Sequence, residues 1–169
     1  MRLVILYALA ALVALTFQTE APRYLLPAAL LPDLILILAV DLGLRHHNAL
    51  AALLAFAMGY ATDALSGTHL GLNAFMLTFI FMLSYLVSRQ IMIAGAGIGA
   101  IVVFFAVLIR AYASLAISSG IAAVRDNEFA IFRVAIAQAS ITAIVAPLVF
   151  TSLERAKRLM GLPLHPSRE

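Results

Sequence analysis

The placement of charged residues constrains this chain more than any other feature. Six stretches of 14–25 residues that lack acidic and basic side chains lie between Arg2 and Glu154, and they cover most of the 169 residues. A membrane-spanning helix needs about 20 apolar residues, with a range of about 17–25. The charge pattern therefore predicts several membrane-spanning helices.

Composition excludes a water-soluble domain. Hydrophobic residues make up 64% of the chain and charged residues 11%, whereas soluble domains average about 45–50% apolar and about 25% charged residues. The net charge of +3 rests on scattered arginines and a single lysine, which is typical of membrane orientation and not of nucleic-acid binding. Since the chain has no cysteine, disulfides, thiolate metal sites and cysteine nucleophiles are excluded.

We predict one integral membrane domain over residues 1–169, with an all-α fold of about six transmembrane helices. The second helix is the hardest to insert, because it contains Pro32, Asp33 and Asp41. Asp33 is expected near mid-depth, and Pro32 is expected to kink this helix or to make its start irregular. The six helices are expected near residues 3–19, 24–44, 49–65, 72–88, 91–117 and 129–153.

Basic residues predict the orientation of the chain in the membrane. Cytoplasmic segments are enriched in Arg and Lys, and an N-terminus in the cytoplasm assigns seven basic residues to that side and two to the other. Both termini are therefore expected to be cytoplasmic, and the basic tail over residues 154–169 is expected to lie on anionic headgroups of the membrane lipid. The seven are Arg2, Arg45, Arg89, Arg155, Lys157, Arg158 and Arg168, and the two are Arg23 and Arg125.

Ionisable residues inside the apolar stretches are the first candidates for function, because each is unfavourable in lipid and tends to face a partner. Asp63 is expected toward the outer end of the third helix, at a depth similar to Arg110 and Arg133. We therefore consider a pair between Asp63 and one of these arginines. A structural role in holding the helices together is favoured over a docking or ligand role.

Small residues recur every four positions around Asp63. This spacing lets another helix approach closely, although Ser66-Gly67 is expected to end the helix, so that the last two glycines would serve the turn. Ordinary packing within the chain is favoured over dimerisation. The set comprises Ala55, Gly59, Asp63, Gly67 and Gly71.

Catalysis, cofactors and metal sites find little support. Asp33 and Asp63 do not lie in the motifs of small signal peptidases, and Ser66 and His69 share one turn, where a serine protease geometry cannot form. His46-His47 lacks a third ligand, and there is no phosphate-binding glycine loop. We predict a protein that is not an enzyme, with no cofactor and no metal.

One segment resembles a known family. Pro32-Asp33-Leu34 opens an apolar helix, and after a short loop at Arg45 follows the pattern Gly59-x-x-x-Asp63-x-x-Ser66-Gly67-x-x-x-Gly71-x-x-Ala74. This combination resembles the family of the rod shape-determining protein MreD. Its sharp part covers residues 32–74, and outside it the resemblance is one of length and hydropathy. The family-type positions are Pro32, Asp33, Gly59, Asp63, Gly67 and Gly71.

The resemblance implies a noncatalytic scaffold subunit of the bacterial cytoplasmic (inner) membrane that supports rod cell shape and lateral peptidoglycan synthesis in the elongation (Rod) complex. MreD proteins are similar in fold to the substrate-binding S components of energy-coupling-factor transporters. They bind MreC, and through it they join MreB filaments, RodA and a class B penicillin-binding transpeptidase. The family-type positions are expected to shape the second and third helices and to offer a seat for the transmembrane helix of MreC.

An alternative from another class stays open at this point. The chain has the size and span pattern of a substrate-binding S component of an energy-coupling-factor vitamin or metal transporter. Such a protein would hold a small molecule in a polar pocket between helices near the outer face. The Gly59-x-x-x-Asp63 segment favours the scaffold.

Overall fold

The computed structural model describes residues 2–24, 31–46, 48–66, 71–90, 96–126 and 128–161, without the side chains of residues 21–24, 66, 96, 114–126 and 128–131. All regular structure in these ranges is helical. The six helices are α1 (Arg2–Tyr24), α2 (Leu34–Arg45), α3 (Ala49–Ser66), α4 (Leu72–Gln90), α5 (Ala96–Asp126) and α6 (Glu128–Leu159).

The outer surface of the helices is apolar, which confirms the predicted class of an all-α polytopic membrane protein. Three helical segments are long and apolar enough to cross a membrane, namely Arg2–Glu20, Leu72–Gln90 and Phe132–Leu159, and Ala49–Leu65 and Gly97–Ala113 are shorter apolar helices. Large side chains such as Leu53, Phe79 and Leu148 are exposed. Lipid is the solvent that such a surface fits.

Helix α2 lies at the centre of the bundle and contacts each of the other five helices, which also contact one another in the ring order α1, α3, α4, α5, α6. Every residue from Ile35 to Gly43 is buried. A helix that is enclosed by protein on all sides is apolar on every face. The sequence LILILAV at the start of α2 fits that position.

Helix α2 covers only the later part of the helix predicted over residues 24–44, of which residues 25–30 lie outside the described residues. It begins at Leu34, where the Asp33 carboxylate accepts a hydrogen bond of 3.1 Å from the Leu36 N–H, and Tyr24 belongs to α1. Asp33 therefore caps a helix and does not lie within one. Pro32 explains the boundary, because its ring disfavours helical geometry in the preceding residue.

Glycines allow three pairs of helices to approach closely. A Cβ atom added at Gly43 would lie 2.6 Å from the Phe81 carbonyl oxygen of α4, and one at Gly99 of α5 would lie 2.6 Å from the Phe150 ring of α6. At Gly59 of α3 it would lie 2.4 Å from the Ala74 Cα of α4. At Gly43 and Gly59 the missing side chain lets the backbones pack directly, and at Gly99 it leaves room for the Phe150 ring.

Candidate functional site: polar clusters at both ends of the central helix

Asp33 forms the centre of a polar network at the start of α2. The Arg110 guanidinium of α5 forms an ion pair with its carboxylate, and both side chains are largely buried. The Asp33 N–H donates to the Thr142 hydroxyl of α6 at 3.1 Å. The Gln18 amide of α1 donates to the neighbouring Pro32 carbonyl at 3.1 Å. Pro32 and Asp33 together therefore tie the start of α2 to three other helices.

Asp63 fixes the start of α4. Its carboxylate accepts hydrogen bonds from the backbone N–H groups of Gly71 at 2.9 Å, Asn73 at 3.1 Å and Ala74 at 3.2 Å, and from the Asn73 side-chain amide at 2.8 Å. The first N–H groups of a helix have no partner within it, and a carboxylate there also interacts favourably with the helix dipole. A residue at the end of α3 thus caps α4.

Asn73 joins these two arrangements. Its side-chain N–H group donates to Asp63, and its side-chain oxygen accepts a hydrogen bond of 2.7 Å from Arg110. The resulting network takes one polar side chain from each of the six helices or from the residue that caps it. We call it the Asp33 network: Gln18, Asp33, Asp63, Asn73, Arg110 and Thr142.

The network corrects the pair expected for Asp63. Arg110 is paired with Asp33, and Asp63 is joined to Arg110 only through Asn73. The side chain of Arg133 is exposed. Depth along the helices placed Asp63 and Arg110 at the same end of the bundle, but the Asp63 carboxylate already accepts from the N–H groups of Gly71 and of two residues in the first turn of α4.

A second cluster lies near the other end of α2. The buried Asp41 carboxylate accepts hydrogen bonds from the Tyr7 hydroxyl of α1 and, at 3.0 Å, from the fully buried Lys157 ammonium of α6. Arg45 lies one helical turn further, with its Nε atom 2.7 Å from Asp41 and its Nη2 atom 2.7 Å from Glu154. We call Tyr7, Asp41, Arg45, Glu154 and Lys157 the Asp41 cluster.

Aromatic contacts complete this cluster. The Lys157 Nζ atom lies 5.1 Å from the centre of the Tyr7 ring, a distance at which a cation and an aromatic face attract. The His46 ring packs edge-on against Tyr7 with 6.0 Å between ring centres. The two carboxylates of the cluster, on Asp41 and Glu154, are matched by the two cations of Arg45 and Lys157, so the cluster is electrically neutral.

In both clusters the charged and polar groups of the chain serve as partners for one another. Each buried carboxylate described above has cations, N–H or O–H groups of the same chain as partners, as buried charges in a membrane protein require. In the described residues no group of three or more His, Asp and Glu side chains is arranged to hold a metal ion. The arrangement therefore positions helices, and its charged groups other than Asp63 form ion pairs with one another.

The structure places the predicted site residues as follows. Asp33 and Asp63 belong to one network, and Pro32 contributes its carbonyl to it. Gly59 packs against α4. Gly71 precedes α4 with a φ of +97°, a conformation that glycine adopts at no steric cost. Gly67 lies outside the described residues.

Sequence reasoning missed the Asp41 cluster. Asp41 and Arg45 are spaced four residues apart within an apolar helix, which is the spacing of an ion pair on one helix face. Lys157 was counted with the cytoplasmic charges, because it sits in the basic run ERAKR. Nothing local in that run distinguishes a buried lysine from its exposed neighbours Arg155 and Arg158. Its partner comes from a helix more than 100 positions earlier.

Fold and clusters together define a polytopic all-α membrane protein whose polar groups hold a central helix in place. The family model of the rod shape-determining protein MreD matches residues 1–155, and the chain belongs to this family. The match covers α1 to α5 and most of α6. No curated protein and no solved structure matches the chain, so the likeness to transporter S components stays a prediction.

Proposed function

We propose that this chain is the noncatalytic inner-membrane subunit of a bacterial elongation complex that binds MreC and supports lateral peptidoglycan synthesis. The observation that carries the proposal is the match of the MreD family model over residues 1–155. Through MreC the chain would join MreB filaments, RodA and a class B penicillin-binding transpeptidase.

The polar interior supports a scaffold. Arg110, Asp33 and Asp63 are occupied by each other, by Asn73 and by backbone groups. An S component needs free polar groups around a ligand pocket, and in the described part of the chain these side chains offer none. A partner would therefore meet the lipid-facing surface of the bundle or its rims.

The arrangement of the termini supports the proposed orientation. Tyr7 near the start of α1 and Lys157 near the end of α6 both contact Asp41, so the two ends of the described chain lie on one side. Arginines concentrate on that side in the sequence, and positive charge favours the cytoplasm. We therefore propose that both termini are cytoplasmic.

Binding to MreC is tested by cysteine cross-linking, which suits this chain because it has no cysteine of its own. Single cysteines replace exposed residues on four helices: Val13 on α1, Leu53 on α3, Phe79 on α4 and Leu148 on α6. Each variant is produced together with MreC that carries one cysteine in its transmembrane helix. We expect disulfide cross-links from one or two adjacent helices and none from the others.

A buried position provides the control. Leu77 lies on α4 beside Phe79 but is fully buried, so Leu77→Cys should not cross-link while Phe79→Cys can. If MreC neither co-purifies with the chain nor cross-links from any of the four exposed positions, the proposed partner is wrong. Gly59→Leu and Asp63→Ala are poorer probes of MreC binding, because both residues contact α4 of this chain.

A further inference from the structure

The start of α1 and the end of α6 leave an open cleft of about 390 Å³, lined by Arg2, Ile5 and Met160. It lies where the apolar spans Arg2–Glu20 and Phe132–Leu159 begin and end. These boundaries put the cleft at the level where lipid headgroups meet acyl chains. Its volume falls within the range of about 300–1,000 Å³ that is usual for small-molecule sites.

Positive charge at the cleft has no internal partner. In the described part of the chain Arg2 takes part in no ion pair, and the first turn of α1 contains no acidic residue. The carboxylates of the Asp41 cluster, on Asp41 and Glu154, already pair with Arg45 and Lys157. Exposed Arg155 and Arg158 on the last turns of α6 add to the positive potential.

The other two described residues of the lining are apolar. Ile5 is 50% exposed and Met160 is 36% exposed, and both side chains would be covered by an apolar ligand. A soluble anion would neutralise Arg2 but leave Ile5 and Met160 uncovered. A purely apolar ligand would leave the guanidinium without a counter-charge. Both demands are met by a molecule in which an anionic group is joined to an acyl chain.

We propose that this cleft binds one anionic phospholipid. The Arg2 guanidinium contacts the lipid phosphate, a pairing that its planar N–H groups favour, and Ile5 and Met160 pack against the first carbons of an acyl chain. The site lies at the end of the bundle that carries the Asp41 cluster. Its two helices, α1 and α6, contact Asp41 through Tyr7 and Lys157. It does not depend on MreC binding.

The test measures the thermal unfolding of the purified full chain in detergent while lipid is added. Phosphatidylglycerol should raise the unfolding midpoint in a saturable manner, and phosphatidylcholine should raise it less. Arg2→Gln should increase the half-saturating concentration of phosphatidylglycerol by about fivefold, as expected for one basic residue at a membrane surface. Arg89→Gln is the matched control, because Arg89 is exposed at the end of α4 and does not line the cleft.

A second pair of variants tests the apolar part. Met160→Ser should weaken the response to phosphatidylglycerol, while Leu159→Ser should not, because Leu159 is exposed but is not in the cleft lining. Equal losses for Arg2→Gln and Arg89→Gln would overturn the proposal in favour of diffuse surface attraction. A response to glycerol 3-phosphate as large as that to the lipid would overturn it in favour of a soluble anion. Equal responses to the two lipids would show that the cleft does not select an anionic headgroup.

Discussion

Asp33 and Arg110 join the start of the central helix to the middle of α5 through an ion pair inside the bundle. The two residues are 77 positions apart in the chain, and the pair is continued by Asn73 to the Asp63 cap of α4. Because both charges are largely buried inside the bundle, each charge depends on the other for compensation. Removal of one partner leaves a buried charge without compensation.

We therefore expect Arg110→Met to lower the free energy of unfolding by about 3–5 kcal/mol, the loss typical of a buried pair that keeps one partner. Asp33→Asn should have a comparable effect. The double variant should lose less than the sum of the two, with a coupling of about 0.5–3 kcal/mol. Unfolding midpoints in detergent would measure this, and strictly additive losses would contradict a direct pair.

Asp63 should contribute through the number of N–H groups that it accepts. Asp63→Ala leaves the Gly71, Asn73 and Ala74 N–H groups without their acceptor, and loss of a helix N-cap alone costs about 0.5–2 kcal/mol. Asp63→Asn keeps one acceptor oxygen and should lose less. Thermal unfolding of the two variants should rank them in this order, and an equal loss would mean that charge, and not hydrogen bonding, dominates.

Gly59 should not tolerate a side chain of any size. A Cβ atom there would lie 2.4 Å from the Ala74 Cα and 2.5 Å from the Asn73 carbonyl oxygen, and neither backbone can move without separating α3 from α4. Gly59→Ala is expected to reduce the yield of folded, monodisperse protein severely. Gly97→Ala is the matched control, because nothing lies within 4 Å of its added Cβ and alanine favours a helix over glycine by about 0.5–1 kcal/mol. Similar yields for both variants would contradict the close α3–α4 contact.

Lys157 and Arg158 offer a comparison between adjacent cations. Lys157 is fully buried against Asp41, whereas Arg158 is exposed. Lys157→Met should destabilise the protein by about 3–5 kcal/mol, and Arg158→Met should change stability by no more than about 0.5 kcal/mol. Urea or thermal unfolding in detergent would separate them. A neutral Lys157→Met would show that Arg45 and Tyr7 alone satisfy Asp41.

Hydropathy predicted the fold class because lipid-exposed helices require long uncharged stretches, and such stretches are visible in the local sequence. The depth of charged residues also placed Asp63 and Arg110 at one end of the bundle. The identity of partners could not be predicted in this way, since Asp33, Asn73 and Arg110 come from three helices whose lateral arrangement no local pattern specifies. For the same reason the contact between Asp41 and Lys157 could not be predicted.

The start of α2 could not be predicted for a different reason. Its apolar run continues through Pro32 and Asp33, so periodicity favoured one long helix over residues 24–44. A helix can start after a proline and an aspartate when other groups form hydrogen bonds with the backbone C=O and N–H of these two residues. Here the Gln18 amide and the Thr142 hydroxyl do so, and both lie on other helices.

The enclosure of α2 has a consequence for biogenesis. With 12 residues it is about 18 Å long, which is less than the roughly 30 Å of a bilayer core, and it carries an aspartate in or beside each end. The cations that neutralise these aspartates from α5 and α6 leave the ribosome 77 and 116 residues later. The central helix is therefore synthesised early, but its aspartates gain these partners late. A nascent chain that stops before α5 would hold Asp33 in the membrane without Arg110, and Asp41 with Arg45 but without Lys157, so the ion pairs of α2 are complete only once α6 has been made.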